Sequence, residues 1–334
     1  MRPFTYDAPD TVADALDALA AAGPGAKFLA GGTTLYDLMK LGVEAPPAVV
    51  DVHRLPELSQ IDSTGTDELV FGAGARMADV AEDPVVTRDY AALAESLAKA
   101  ASQQLREMAT VGGNLLQRTR CTYFRHGEPF ACNKREPGSG CAAIGGLDRA
   151  HAVLGTSDAC IATFPGDWPV ALLAFDAQVD VLGPDGARTV ALADLYREPG
   201  QRPDLETTLR PQELLLRIRV PATPTGRGST YHKIRDRESY AFALASAAAA
   251  VALHADGTVA DVRIGLGGVA TRPWRAAEAE QALLGQPLTA ETARQAGEAA
   301  FAAARPGREN GFKIELGIRT VADALRIAGE RATR

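Results

Sequence analysis

The sequence predicts an α/β protein in two segments followed by a separate α+β domain, and three observations carry that expectation. First, short apolar runs reach glycine-rich turns that open into amphipathic stretches, as in "KFLAGGTTLYDLMK", the pattern of strand, turn and helix in alternation. Second, beyond Pro224-Thr225-Gly226-Arg227-Gly228, which reads as a linker, the order becomes strands and then helices. Third, the alternation breaks once, at residues 118–160, in a polar tract that holds all four cysteines.

The elements follow in order. Val12, Ala15, Leu16 and Leu19 fall on one helical face; Asp10 or Thr11 can cap its start, and Gly23-Pro24-Gly25 ends it. "AKFLA" reads as a buried strand, "LYDLMKLG" as a helix and "AVVDVHRL" as a second strand, so residues 1–55 form one α/β unit. Residues 56–222 form the next. "LVFGAGARMADVAED" is strand, turn and helix start. "YAALAESLAKAASQQLREMAT" reads as one long helix with Leu93, Leu97, Ala101, Leu105 and Met108 on its apolar face, and "VGGNLLQ" is a second glycine turn. Residues 118–160 show little periodicity and read as an insertion loop; loops of that length are functional or disordered. A helix and a hairpin follow over "WPVALLAFDAQVDVLGPDGARTVALADLY", and "ELLLRIRVP" is a strand stopped by Pro221. Residues 227–330 supply strands and then helices, and no repeat of solenoid length appears.

Composition excludes several classes. A 46% apolar and 23% charged chain is ordinary for a folded protein, and a net charge of −7 argues against a nucleic-acid surface. No apolar run reaches the length of a membrane span. "MRPFTYDAPD" lacks a basic stretch followed by an apolar one, so the expectation is a chain with no export signal of its own. That fits the cytoplasm, or the periplasm if a signal-bearing partner carries the chain with it.

Two turns are candidates for phosphate binding: "AGGTTL" and "TVGGNL". Glycine allows close approach to a phosphate, and successive N–H groups form an anion-binding nest. Thr33, Thr34 and Asn114 can add side-chain hydrogen bonds. Either turn alone is as readily structural, and neither matches the dinucleotide or P-loop glycine patterns. Cys121, Cys132, Cys141 and Cys160, spaced C-x10-C-x8-C-x18-C, sit in too polar a tract for core thiols. Spacing leaves structural zinc and an iron–sulfur cluster both open, although zinc sites favour short C-x2-4-C pairs. Arg118, Arg120, Lys134 and Arg135 would offset a negative cluster. His53, His126, His151, His232 and His254 show no ligand spacing and read as surface or satisfied histidines. Asp167, in "TFPGDWP", reads equally as a helix cap, and Lys233 and Arg235 as an exposed strand edge.

Together these motifs resemble, over essentially the full length, the FAD-binding (medium) subunits of the xanthine dehydrogenase family of molybdenum hydroxylases. "KFLAGGTTLYDLMK" and "ATVGGNLLQ" are similar to that family's two FAD loops, "TFPGDWPVALLAFDAQV" to the segment that follows, and "YHKIRDRESYAFALASAA" to the start of its C-terminal domain. Gly166 stands where the family motif has serine. The cysteine tract resembles the insert of the flavin subunits of bacterial periplasmic aldehyde oxidoreductases. The flavin subunits of 4-hydroxybenzoyl-CoA reductases, which also carry an insert, fit it less well.

The resemblance implies a two-subdomain FAD-binding fold of the vanillyl-alcohol-oxidase type, then an α+β domain of the CO dehydrogenase flavoprotein type. It implies FAD, with its pyrophosphate wrapped by Lys27, Phe28, Leu29, Ala30, Gly31, Gly32, Thr33, Thr34 and Leu35. The second wall would be Thr110, Gly112, Gly113, Asn114 and Leu115. Asp167 would bind sugar or ribityl hydroxyls, and Ile218 and Lys233 would lie near the flavin ring. It makes Cys121, Cys132, Cys141 and Cys160 the ligands of a [4Fe–4S] cluster. The partners it implies are a large molybdenum-cofactor subunit and a small [2Fe–2S] subunit in a heterotrimer, with an external electron acceptor. Two rivals remain from the residues themselves: a zinc-stapled scaffold with vestigial FAD turns, and a free-standing flavin oxidoreductase, for which no acid or base stands out.

Overall fold

The computed structural model describes residues 1–333. Three sheets appear in chain order. The first is parallel, with β1 (Thr5–Asp7), β2 (Lys27–Leu29) and β3 (Ala48–Asp51) in the order β1-β3-β2. The second is antiparallel, with β4 (Ile61–Asp62), β5 (Glu68–Gly72), β6 (Gln178–Gly183), β7 (Gly186–Ala191) and β8 (Leu214–Pro221) in the order β4-β5-β8-β6-β7. The third, also antiparallel, holds β9 (Ser229–Ile234), β10 (Ala245–Leu253), β11 (Val259–Gly267) and β12 (Trp274–Arg275) in the order β12-β11-β10-β9. No helix among the described residues is long and apolar enough to cross a membrane.

The cores explain the sequence patterns. Helix Val12–Ala22 is capped by Thr11, whose hydroxyl accepts from Asp14 N–H, and packs Ala15 and Leu19 on Val50 and Leu58. Leu214 of β8 joins that cluster, which ties the first sheet to the second. β10, "ASAAAAVAL", is buried on both faces. Ala247, Ala249 and Val251 face the C-terminal helices, while Ala248 and Ala250 face the core that contains Trp168 and Phe71. Two-sided burial accounts for its continuous small apolar run.

One helix differs from expectation. The long helix after Tyr90 is two, Ala91–Ala98 and Gln103–Arg106. Ala101 takes a left-handed φ of 47°, and the Ser102 hydroxyl accepts from Leu105 N–H to start the second piece. The apolar spacing continues across the break in the sequence, but the second piece buries none of its residues and Met108 is exposed.

Candidate functional site

β2 ends directly in the first glycine turn, whose Gly32 has a φ of 72°, and helix Leu35–Lys40 follows. Gly31 packs on the Met108 carbonyl so closely that a Cβ would lie 1.8 Å from its oxygen. The N–H groups of Gly31, Gly32, Thr33 and Thr34 make no hydrogen bond among the described residues. Four adjacent free donors in one turn form an anion-binding concavity.

The second glycine turn is built differently. It is a short helix, Val111–Leu115, capped by the Thr110 hydroxyl, which accepts from Gly113 N–H at 3.1 Å. Val111 N–H donates to Ala75 O at 2.9 Å and Gly112 N–H to Ala73 O at 2.8 Å. Its donors are therefore committed, and the expected second nest is a wall instead. A Cβ on Gly112 would lie 2.8 Å from Ala73, so glycine serves packing there. Thr110→Ala is expected to cost about 1 kcal/mol of stability, the usual worth of such a cap. Urea unfolding of the flavin-free chain measures it, and an unchanged midpoint would show the cap idle.

Two cavities, of about 840 and about 640 Å³, meet at the first turn. Leu29, Ala30, Gly31, Gly32, Thr33 and Thr34 line both, as does Gly113. Lys27, Phe28, Leu35, Thr110 and Gly112 line the smaller one, and Asn114 and Asp167 the larger. Their shared wall suits a long ligand with a charged middle.

Three expected residues lie elsewhere. Leu115 is fully buried behind the second turn. Ile218 lines neither cavity: it pairs with Phe71 and Val179 in the sheet and faces the core, because a bulge opposite Asp180 and Val181 sets that side of β8 inward. Lys233 is no exposed strand edge. Its side chain is 1% exposed beneath Asp167, with Nζ 2.8 Å from Asp167 Oδ2 and 3.0 Å from Lys99 O.

Asp167 occupies the N-cap position of helix Trp168–Leu173 but makes no capping hydrogen bond. Its other oxygen accepts from the Tyr231 phenol at 2.5 Å, and Ser246 Oγ lies 2.9 Å from that phenol. Burial, and then the charge of Asp167, raise the Tyr231 pKa well above its ordinary value, so the phenol stays a donor. The larger cavity thus has one carboxylate fixed by two buried donors. The glycine at 166 also has a cause, since a Cβ would lie 2.6 Å from the Phe164 ring, and a serine there would push that ring aside.

Unmet polar atoms point to the same cavity. Five buried side-chain atoms among the described residues lack a partner, and three of them, His53 Nδ1, Asn114 Oδ1 and Arg120 Nε, belong to residues lining the larger cavity. Buried groups without partners are costly, so their concentration marks where a polar ligand satisfies them. His53 is therefore not a satisfied surface histidine. It follows β3 at the carboxyl end of a parallel strand, where α/β folds bind ligands, and that position was the available signal.

The insertion brings all four cysteines to one small enclosed cavity. Gly138 and Gly140, with φ of 89° and 104°, turn the chain so that Cys132 and Cys141 face each other across a β-bridge. Asn133 holds that turn: its Oδ1 accepts from Gly138 and Gly140 N–H, and its Nδ2 donates to Ala159 O beside Cys160. Burial pushes the Cys121 thiol up to about 12 and the Cys160 thiol up to about 11, with Lys134 opposing the second shift. His151 Nε2 lies 3.2 Å from Cys121 Sγ. Among the described residues no three or more His, Cys, Asp or Glu side chains close on a single metal-ion point.

The cations of the insertion are mostly engaged elsewhere. Arg118 lies 2.5 Å from Glu44 and 3.1 Å from Glu206, and Arg135 donates to the carbonyls of Tyr123, Phe124 and Phe130. Arg120 pairs with Asp37. Only Lys134, 3.0 Å from Glu206, also borders the cysteines. The far end of the insertion is stitched to the C-terminal domain. Asp148 accepts from Arg308 and Glu309 N–H, Asn310 Nδ2 donates to Ala152 O, and Lys313 Nζ donates to the Ala150 and Gly268 carbonyls.

Comparison with known proteins gives the following. Residues 2–223 match the family described as the FAD binding domain in molybdopterin dehydrogenase, and residues 229–325 the CO dehydrogenase flavoprotein C-terminal domain. The chain is 47% identical to the aldehyde oxidoreductase FAD-binding subunit PaoB of Escherichia coli (strain K12), over 99% of this chain and all of that one. It is 29% identical to the carbon monoxide dehydrogenase medium chain of Hydrogenophaga pseudoflava, over 92% of this chain and 88% of that one. Among solved structures, a chain of the carbon monoxide dehydrogenase from Hydrogenophaga pseudoflava superposes with a TM-score of 0.77 at 30% identity, covering 99% of each chain.

Proposed function

We propose, given that this chain belongs to the family of FAD-binding subunits of molybdenum hydroxylases, that it is the electron-transfer subunit of a heterotrimeric molybdenum-containing aldehyde oxidoreductase and carries both FAD and a [4Fe–4S] cluster. Its partners are a large molybdenum-cofactor subunit and a small [2Fe–2S] subunit, and it delivers electrons to an external acceptor. Residues 1–55 and 56–222 are its two FAD-binding halves, and residues 227–330 its C-terminal domain. The observation that carries the reading is the turn at residues 31–34, whose free N–H groups sit where two cavities meet.

The residues fit the flavin. The free donors of the first turn hold the pyrophosphate, and the wall of Thr110, Gly112 and Gly113 fixes its path. Asn114 and His53 satisfy their unpartnered atoms on the ligand. Asp167, held by Tyr231 and Lys233, accepts from its hydroxyls. When bound, FAD supplies electron transfer in one- or two-electron steps, while the protein contributes binding and orientation. Gly31 and Met108, in van der Waals contact, keep the site narrow.

The cysteines fit a cluster better than a lone zinc ion. Zinc demands bonds of about 2.3 Å to all four thiolates at one point. These four thiols line one shared cavity, and their long C-x10-C-x8-C-x18-C spacing lacks the short pairs that zinc sites favour. Four thiolates are the ligand set of a [4Fe–4S] centre, which supplies one-electron transfer when bound. Full-length likeness to an aldehyde oxidoreductase subunit supports the aldehyde assignment.

Protein purified without oxygen tests the reading through its flavin, iron, zinc and acid-labile sulfide. The expected content is about one FAD with about four iron and four sulfide per chain. FAD with zinc would overturn the cluster and leave the flavin subunit standing. No flavin would overturn the whole reading.

A further inference from the structure

The cysteine insertion touches the flavin cavity as well as its own pocket. Arg120 immediately precedes Cys121, and Arg125 ends helix Thr122–Arg125, for which Cys121 is the N-cap residue. Both arginines line the larger cavity, which the turn at residues 31–34 also borders. Their one carboxylate partner is Asp37, and both reach the same oxygen, Arg120 Nη1 at 3.3 Å and Arg125 Nη2 at 2.7 Å. Two guanidiniums on one carboxylate leave a positive charge uncompensated at the wall. Arg120 Nε is buried with no partner among the described residues.

Arg120 also lies over the Phe242 ring at 5.2 Å, which limits how it can turn. A ligand that carries two negative charges on a chain of oxygens, and also needs the free N–H groups of the turn, is a pyrophosphate. Guanidinium groups bind phosphate oxygens in pairs, with charge assistance.

We propose that Arg120 and Arg125 are FAD-binding residues that hold the pyrophosphate together with the turn at residues 31–34, so that the cysteine insertion is part of the flavin site. Asp37 keeps the two side chains aligned at the cavity wall. The inference rests on the flavin site proposed above.

The test uses the full-length chain freed of flavin, as wild type and as Arg120→Gln, Arg125→Gln and the pair. Three probes separate the contacts: FAD, ADP, which carries the pyrophosphate without flavin, and riboflavin, which carries flavin without phosphate. Each single change is expected to weaken FAD and ADP roughly tenfold, and the pair roughly a hundredfold, the worth of charge-assisted hydrogen bonds. Riboflavin affinity should stay within about twofold of wild type, since a neutral ligand forms no charge-assisted bond there. Unchanged FAD and ADP binding would overturn the inference, and so would an equal loss for riboflavin. If the glutamine pair fails to fold, Arg120→Lys with Arg125→Lys carries the test, since lysine keeps the charge and loses the fork. A smaller loss confined to FAD and ADP supports the inference, and a loss shared by riboflavin overturns it. Wild-type chain that binds no FAD would instead overturn the flavin site itself.

Discussion

Gly31→Ala is expected to abolish retention of FAD through purification. An added Cβ would lie 1.8 Å from the Met108 carbonyl oxygen and 2.7 Å from its carbon, both backbone atoms that no side-chain rotation can move. Overpacking of flexible neighbours costs about 1–3 kcal/mol, and a backbone clash exceeds the upper end. The strain acts at the junction of the two cavities, so it separates the turn at residues 31–34 from the Met108 segment. A penalty of about 3 kcal/mol corresponds to about a hundredfold or more in affinity. Titration of the flavin-free variant with FAD measures it. Gly42→Ala is the control, because its positive φ is strained but nothing lies within 4 Å of its Cβ. Equal FAD affinity in the two variants would remove the role assigned to the close approach.

Asp167→Asn is expected to destabilise the chain by about 3–5 kcal/mol, the cost of leaving one member of a buried ion pair unpaired. The exchange preserves shape, removes the charge facing Lys233 and turns one of the two acceptor oxygens into a donor that faces Lys233 or Tyr231; the Lys233 side chain is 1% exposed and that of Asp167 6%. An exposed pair would contribute about 1 kcal/mol or less. Adding Lys233→Met should recover much of the loss, because the second change removes the stranded cation. Urea unfolding of the flavin-free variants compares them. A loss below about 1 kcal/mol would mean that water reaches the pair and screens it. FAD affinity should fall in the single variant too, since Asp167 lines the larger cavity.

Much of this was legible because it is local. β2, the first turn and helix Leu35–Lys40 follow from a short apolar run, Gly-Gly-Thr-Thr and an amphipathic segment within fourteen residues. The gathering of cysteines was legible from their confinement to one glycine-rich tract. What was hidden depends on partners distant in sequence. Whether an N–H at a glycine turn is free is decided by what packs against it: Ala73 and Ala75 take donors of the second turn, and no described residue takes those of the first. Arg120 reads as a counter-charge for a cluster, yet it pairs with Asp37 at the wall of the other cavity, and Arg125, which the sequence does not single out, joins it there. The resemblance alone places Ile218 near the flavin ring, whereas in the sheet it pairs with Phe71 and Val179 and faces the core. Lys233 reads as a surface residue in "YHKIRD", and only the arrival of Asp167 makes its burial tolerable.

The stitch between the insertion and the C-terminal domain has a consequence in time. The cysteine segment is complete once Cys160 is made, but its far end is held by Asn310 and Lys313, which are made much later. At about 5–20 residues per second, the roughly 150 intervening residues take about 8–30 s to synthesise. For that interval the nascent chain carries four thiols without the clasp that secures them. An oxidant arriving in that interval meets thiols not yet buried. The protein's last helix therefore sets when the cysteine segment in its middle is fastened.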